Sequence, residues 1–370
     1  MSTAEKKVRI AIIVPGGIGT GHNNIGVPVL ERLIKLLAHD FQITIFSLFK
    51  VNENYFPDGF ELISISTSNA WIKIIKFFAA FKKSHREKNF QAVHGFWVLP
   101  SGFLAVVMGK LFGIKSIVSV LGGDAIALPA IHYGQLRNPL YRRLIFWALN
   151  QADKVSALTQ YLVNNLRLAG FTRDNIHIIP WGIDTEMFLF HAKPLGKPIR
   201  FLHIGNMHPV KDQETLLRAF KLISDKLEST LTIIGEGVYK DHVQSLIHAL
   251  QLQDKVTILD PLPYDELPGY YLGADVLLHT SLSEGQSEVV TESMSAGVLV
   301  CGTKVGLMHD LPECCISVDI RDYQLLAHHT LQVIANPQNL EAIKQRALQW
   351  ATDHSILWTA KKIKELYTEA

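Results

Sequence analysis

Ile199 to Asp212 reads IRFLHIGNMHPVKD: a short β-branched run, a glycine, a polar loop, and a lysine where helical spacing begins. A run that is apolar on both faces suits a strand inside a parallel sheet, which helices cover above and below. Downstream the same unit recurs as LTIIGEG from Leu231, VTILD from Val256, DVLLHT from Asp275, VLVCGT from Val298 and ISVD from Ile316. Upstream lies an equivalent series: VRIAIIV from Val8, QITIFS from Gln42, AVHGFW from Ala92, SIVSVL from Ser116, KVSAL from Lys154 and IHIIP from Ile176. Helical segments separate the runs, which predicts right-handed crossovers between parallel strands. The stretch at Ile199 therefore opens a second sheet. Two Rossmann-like, doubly wound α/β domains are more economical than one sheet of a dozen strands. The aperiodic segment WGIDTEMFLFHAKPLGKP, Trp181 to Pro198, is the expected linker. The expected boundaries are 1–183 and 184–353, with a closing helix over 354–370 that packs back on the first domain.

Composition agrees with a two-domain chain and excludes several classes of function. At 370 residues the chain exceeds what one core supports. With 48% hydrophobic and 19% charged residues it is not a disordered tail protein. The net charge of +2 argues against a nucleic-acid partner. That total conceals an asymmetry, because Met1 to Thr185 carries +9 and the remainder −7. Three cysteines, Cys301, Cys314 and Cys315, form neither a disulfide framework nor a zinc spacing, so a reducing cytosol is expected. The amino terminus has a basic stretch and a short apolar run that stops at Pro-Gly-Gly, which reads as a first strand rather than a secretion signal. The long uncharged stretch Asn89 to Gly109 is broken by His94, Pro100 and several glycines, and no transmembrane segment is expected.

Ligands of such sheets bind beyond the carboxyl ends of the strands, and two domains face to face would make a cleft there. The first strand is followed by PGGIGTGHNN, Pro15 to Asn24, then a helix expected from about Ile25 to Ala38. Gly16 and Gly17 allow close backbone approach, and amides at a helix start favour an anion. Neither the Walker Gly-Lys-Ser/Thr nor the dinucleotide GxGxxG spacing is present, and QITIFS ends without an acid for a nicotinamide ribose. A glycine turn without a ligand is the alternative there, and His22 alone reads as a turn residue. LGGD places Asp124 at a strand end, to orient a sugar hydroxyl, to assist a proton transfer, or merely to cap the next helix. Lys211 stands at the start of a helix expected from about Asp212 to Ser224. A cation there opposes the helix dipole and calls for an anion such as a diphosphate. GEG, Gly235 to Gly237, is a further close-approach turn.

The most informative segment is SLSEGQSEVVTESMSAG, Ser281 to Gly297. Glu284 lies in the loop and Glu292 about a turn into the helix that follows. The two would present carboxylates to either side of a ligand on the helix start. The amides of Glu288, Val289 and Val290 are then available to a phosphate, and Glu292 to the hydroxyls of a ribose.

Taken together, PGGIG, HGFWVLPSG, LGGD, IIPWGIDTEMF, HIGNMHPVKD, IIGEG, the run LDPLPYDELPGYYLGADVLLHTSLSEG and the E-x7-E pair resemble the family 4 retaining glycosyltransferases over nearly the whole chain. The resemblance implies the GT-B architecture, a nucleotide-diphosphate sugar held mainly by the second domain, an acceptor held mainly by the first, and transfer with retention. It implies that Asp124, Lys211 and Glu284 are catalytic. Lys211 would neutralise the leaving diphosphate, Glu292 would hold the ribose, and Glu284 with Gly285 and the amides after it would position the transferred sugar. Leu262 would flank the base, Gly235 and Asn206 would line the donor site, and Gly16 and Gly17 would approach the phosphate or acceptor. No metal or other cofactor is expected, in keeping with the lack of any Asp-x-Asp in the sequence.

Three positions depart from the family pattern. Asn206 stands where the family has Arg, Leu121 where it has His, and Gln286 where it has Phe. A lost cation or donor could cost a few kcal/mol of transition-state stabilisation, for which His22, His203 and His208 are candidate substitutes. A binding partner protein of the same fold with weakened transfer is the alternative function, and an epimerase or phosphorylase a further enzymatic one. Residues 70–90 combine aromatic and basic side chains. Each cation near an anionic membrane contributes about 1 kcal/mol, so a peripheral position at the inner face of the membrane is expected, beside a glycan or lipid-linked acceptor. An ordinary crossover helix is the alternative for that segment.

Overall fold

The computed structural model describes residues 7–20 and 26–369. Seven parallel strands form the first sheet: β1 (Val8–Val14), β2 (Phe41–Ser47), β3 (Glu61–Ser64), β4 (Ala92–Phe96), β5 (Lys115–Val120), β6 (Lys154–Ala157) and β7 (His177–Ile178). Their spatial order is β3-β2-β1-β4-β5-β6-β7. Six more make the second: β8 (Ile199–Ile204), β9 (Ser229–Ile234), β10 (Val256–Leu259), β11 (Val276–His279), β12 (Leu299–Thr303) and β13 (Ile316–Val318), in the order β10-β9-β8-β11-β12-β13. Both are doubly wound. Each sheet reverses direction once, between β1 and β4 and between β8 and β11, and such reversals are where α/β sheets take ligands.

Every run read as a strand forms one, and β3 is an addition. ELIS is a four-residue edge strand that pairs with β2 alone and is half-exposed, so it lacks the doubly apolar signature of the others.

By contact the chain divides into two units. The first comprises the chain up to Leu158, Leu162–Pro180 and the tail from Ile356; the second comprises Thr159–Tyr161 and Trp181–Ser355. In the first unit Phe46 of β2 packs against Phe77, Phe81 and Phe90, which fastens helix Ala70–Lys88 to the sheet. Helix Ile356–Thr368 belongs to the same unit, where Tyr367 stacks edge-on against Phe41 and bonds through its hydroxyl to His94 Nδ1 at 2.9 Å. His94 continues through Nε2 to Ser119 (2.7 Å), and Ser119 to Ser156 (2.7 Å). Buried polar groups that are all partnered in this way fix a core in one arrangement. Burial lowers the His94 imidazole to about 3, so it is neutral.

In the second unit helices cover both faces of the sheet. One core gathers Phe201, Leu217, Phe220, Ile233 and Leu278; the other gathers Leu202, Tyr271, Leu277, Val290 and Met294. Packing of this completeness leaves the strand-end loops as the place where polar groups can face a ligand.

Candidate functional site

Lys211 and Glu284 lie 73 residues apart in sequence, on the loops that leave β8 and β11, the two strands flanking the reversal of the second sheet. Lys211 Nζ donates to Glu284 Oε1 at 2.6 Å. The anion that the lysine's position called for is, in this structure, a carboxylate of the protein itself. The lysine sits in a short 3₁₀ turn, Pro209–Lys211, one residue before the cap of helix Gln213–Ser224. Asp212 caps that helix in the left-handed conformation (φ 46°), accepting from the Thr215 hydroxyl at 2.7 Å. Thr280 donates its hydroxyl to the Lys211 and Asp212 carbonyls, which ties this turn to the end of β11.

Glu284 Oε1 also receives the Ser281 hydroxyl at 2.6 Å and lies 3.3 Å from His279 Nε2. Burial alone would raise this carboxyl, but the Lys211 charge and the His279 contact outweigh it and hold it well below the usual carboxylate range. His279, buried at the end of β11, was not singled out from the sequence. Its one sequence signal is its place between DVLL and the Ser-Leu-Ser-Glu loop.

Glu288 opens helix Glu288–Ala296, and Glu292 follows one turn later. Burial, then the neighbouring Glu292 charge, raise Glu288 to about 8. Glu292 is 2% exposed and rises to about 7 through burial, although hydrogen bonds from Tyr271 and Tyr264 oppose the shift. The Tyr271 hydroxyl reaches Glu292 Oε2 at 2.5 Å. A carboxylate has about four acceptor positions, so the phenols occupy part of the capacity that sequence reading reserved for a ribose. The Val290 amide is bonded to the Ser287 carbonyl at 3.2 Å, which corrects the expectation that it is available to a phosphate. Glu288 and Val289 stand in the first turn, where an amide has no carbonyl four residues back.

The loop itself is fastened at several points. Gln286 grips the Trp181 backbone with both ends of its amide: Oε1 accepts from the Trp181 amide at 2.7 Å and Nε2 donates to the Trp181 carbonyl at 2.6 Å. The Gly285 carbonyl accepts from the Thr159 hydroxyl, and the Gln286 carbonyl from the Leu307 amide. Ser287 is held at φ 80°, a left-handed value that L residues seldom adopt. Gln286 thus spends its side chain on holding the loop, which is why a polar residue is tolerated there although it is 3% exposed.

Around this site, Gly235 (φ 151°) and Gly237 (φ 148°) lie against the loop after β8. A Cβ on Gly235 would meet the Gly205 carbonyl oxygen at 2.2 Å, and one on Gly237 the Met207 carbonyl oxygen at 2.4 Å. Asn206 sits between those contacts, with its carbonyl bonded to Gln213 Nε2. Leu262 is half-buried beside Tyr264. Of the histidines considered as substitutes for a missing cation, His203 is fully buried and lowered to about 3, so it is neutral. His208 accepts the Val210 amide on Nδ1 at 3.3 Å, in the turn that leads to Lys211. His22 lies outside the described residues.

In the first unit Asp124 is 2% exposed and accepts three backbone amides: Gly122 at 2.7 Å, Val98 at 3.0 Å and Leu121 at 3.3 Å. Burial raises its carboxyl, and these amides pull it back. It locks the loop after β5 to the one after β4, where Trp97 is held at φ 64°. Beside it lies a cavity of about 550 Å³ lined by Trp97, His132, Tyr133, Gln135, Arg137 and Tyr141 among others. Gln135 Oε1 has no partner among the described residues there. Gly16 and Gly17 form the turn after β1, in which the Gly17 amide donates to Thr20 Oγ1 at 2.7 Å. A Cβ on Gly16 would meet Phe49 at 2.9 Å. Among the described residues no group of His, Cys, Asp and Glu is arranged to hold a metal ion, and no helix is long and apolar enough to cross a membrane.

Comparison with known proteins follows the same division. A family described as "Glycosyl transferases group 1" matches residues 186–350, and "Glycosyltransferase Family 4" matches 27–187. A D-inositol 3-phosphate glycosyltransferase of Arthrobacter sp. (strain FB24) is 26% identical over 237 residues, 59% of this chain and 55% of that one. The chain spans 55–58% of the length of the first curated relatives it matches. Among solved structures, sucrose-phosphate synthase from Thermosynechococcus elongatus aligns with a TM-score of 0.83 at 20% identity over 98% of both chains. Anabaena HepE in complex with UDP aligns with a TM-score of 0.78 at 16% identity, over 98% of this chain and all of that one. The fold is that of the GT-B glycosyltransferases.

Proposed function

Because the chain belongs to the group 1 glycosyl transferases of the GT4 type, we propose that it is a retaining, metal-independent glycosyltransferase. It takes a sugar from a nucleotide-diphosphate sugar held by the second unit and moves it to a glycan or lipid-linked acceptor held by the first, in the synthesis of cell-surface polysaccharide or glycolipid. The observation that carries the donor half is the Lys211–Glu284 pair at the strand reversal of the second sheet. A bound diphosphate replaces Glu284 as the partner of Lys211, and the amides of Glu288 and Val289 add positive potential from the helix start. Glu284, released from the lysine but still held by Ser281, stands where the transferred sugar is positioned. HepE, of the same fold, binds UDP.

For the acceptor half, the cavity beside Asp124 offers aromatic faces for a sugar ring, Arg137 for an anionic group, and the unpartnered Gln135 oxygen for a hydroxyl. A relative that acts on D-inositol 3-phosphate is consistent with an anionic acceptor. The cysteines are buried and unpaired, which suits the cytoplasm.

The test is a screen of UDP- and GDP-linked sugars by thermal shift, followed by proton NMR of the product in EDTA. A stabilising donor and a product of retained anomeric configuration are expected. An inverted product would overturn the retaining mechanism, loss of turnover in EDTA the metal independence, and donor binding without turnover would make the chain a sugar-nucleotide-binding partner protein.

A further inference from the structure

When a diphosphate takes Lys211 from Glu284, the carboxylate loses its cation at the moment that further negative charge arrives beside it. Its side chain is only 14% exposed, so water cannot fully replace the lysine. A partly buried carboxylate in that position needs another donor, another cation or a proton.

His279 is placed to meet the need. It ends β11, its side chain is 1% exposed, and Nε2 lies 3.3 Å from Glu284 Oε1 and 3.4 Å from Ser281 Oγ. A carboxylate only accepts, and the Ser281 hydroxyl already donates to Glu284, so Nε2 faces two acceptors and carries the ring's proton. Nδ1 is then a lone pair. It is buried without a partner among the described residues, and it is the one position on the ring where a further proton can go. Near the ring stand His203 of β8, Lys211 and Glu284, with Glu288 beyond Glu284. The neighbouring strand β12 brings Gly302 and Thr303, which do not titrate. His203 is neutral and sets no charge against a proton on His279. Burial opposes that proton, while Glu284 and an incoming diphosphate favour it. On Glu284 itself a proton would act against the bonds from Ser281 and His279, which favour the charged carboxylate.

We propose that His279 is the positioning residue of this site: it keeps its bond to Glu284 when Lys211 turns to the diphosphate, and it takes a proton from solvent onto Nδ1 as it does so. A carboxylate–imidazolium pair then succeeds the carboxylate–ammonium pair. Glu284 stays ionised and aimed, able to accept a hydroxyl of the transferred sugar. The proton leaves again when the donor site empties. The inference rests on the donor half of the function proposed above.

Two measurements test it, one with donor and one without. Calorimetric titration of the full chain with UDP-glucose and with GDP-mannose at pH 7, repeated in buffers of different ionisation enthalpy, counts the protons taken up per donor. The diphosphates of these probes do not titrate at that pH. Glu292, raised to about 7, also exchanges protons there, but equally in wild type and in His279→Gln. That variant keeps an amide N–H for Glu284 and has no place for the extra proton. Wild type should take up about half a proton more per donor than the variant. Equal counts in two proteins that both bind would overturn the proposal.

Without donor, Lys211→Ala deprives Glu284 of its cation from the start, so His279 should hold the proton in the folded chain. A proton bound by the folded state and not by the unfolded state adds stability at low pH that is lost as pH rises. The thermal stability of Lys211→Ala should therefore decline relative to wild type between about pH 6 and 8, and adding His279→Gln should remove the decline. A flat Lys211→Ala profile overturns the proposal without need of the histidine variant. A decline that survives in the double variant would put the proton on Glu284 and overturn it as well. Binding of neither probe would defeat the donor reading and the coupling to donor with it, an outcome that these pH profiles tell apart from a failure of His279 alone.

Discussion

Two carboxylates in strand-end loops, the buried Asp124 in the first unit and the partly buried Glu284 in the second, answer to opposite designs. Asp124 is surrounded by three backbone amides that cannot leave it. Glu284 is held by a lysine ammonium, a serine hydroxyl and a histidine ring, all side chains, and the lysine can exchange one anion for another. The first arrangement spends a charge on architecture; in the proposed function the second keeps a cation in place until a ligand takes it. Burial of a carboxylate at a strand end therefore does not identify its role; what its partners are free to do does.

The comparison breaks if the two sites respond alike to truncation. Asp124→Ala should cost about 3 kcal/mol or more in denaturant unfolding, because three buried amides lose their acceptor. Lys211→Ala should cost less stability, since Glu284 retains Ser281 and His279, while lowering turnover about 100- to 1,000-fold. Equal loss of stability in the two variants would erase the distinction.

A second contrast concerns pH. Glu288, raised to about 8 by burial and by the Glu292 charge, stays protonated in the folded protein at pH values where the unfolded chain has released that proton. The folded state then binds more protons than the unfolded state from the ordinary carboxyl range, about 4.5, up to about 8, so stability is fully present below that window and falls as pH rises through it. Glu288→Gln should flatten this fall. Donor affinity should likewise decline as pH passes about 8 in the wild type, when a charged Glu288 meets the diphosphate, and should lose that decline in Glu288→Gln. Parallel pH profiles in the two proteins would show that Glu288 does not face the donor.

The smallest expected effect is at Gln286. Gln286→Glu keeps the side-chain length but sets an oxygen against the Trp181 carbonyl, and about tenfold in kcat/KM should be lost through a misplaced loop. Gln286→Leu should lose a similar amount. Unchanged kinetics in both would mean that the loop holds its shape without the clamp.

Most of the fold was legible because parallel strands carry a local signature. Val8–Val14 and Ile199–Ile204 announce themselves by being apolar on both faces. Glu61–Ser64 did not, since an edge strand with one neighbour needs no such pattern. The excursion of Thr159–Tyr161 into the second unit was illegible, as nothing local marks it. The site was legible as a set of residues and not as a set of bonds. Spacing pointed to Lys211, Glu284 and Glu292, but it could not say that the first two are paired, that Tyr271 and Tyr264 already bond the third, or that His279 joins them. Those relations depend on which strands lie side by side, here β8 and β11, and on helix packing that brings Tyr271 over Glu292. Gln286, which the resemblance marks only as a departure from the family's Phe, is occupied with the backbone of Trp181.

The central claim is that Lys211 holds the diphosphate of a sugar nucleotide in place of Glu284. Calorimetric titration of UDP- and GDP-linked sugars into wild type and Lys211→Ala tests it most directly. The account predicts that at least one of them binds the wild type and that the variant binds it about 100-fold more weakly, with its fold intact by circular dichroism. Equal affinity in the two proteins, or no binding to the wild type, would contradict it.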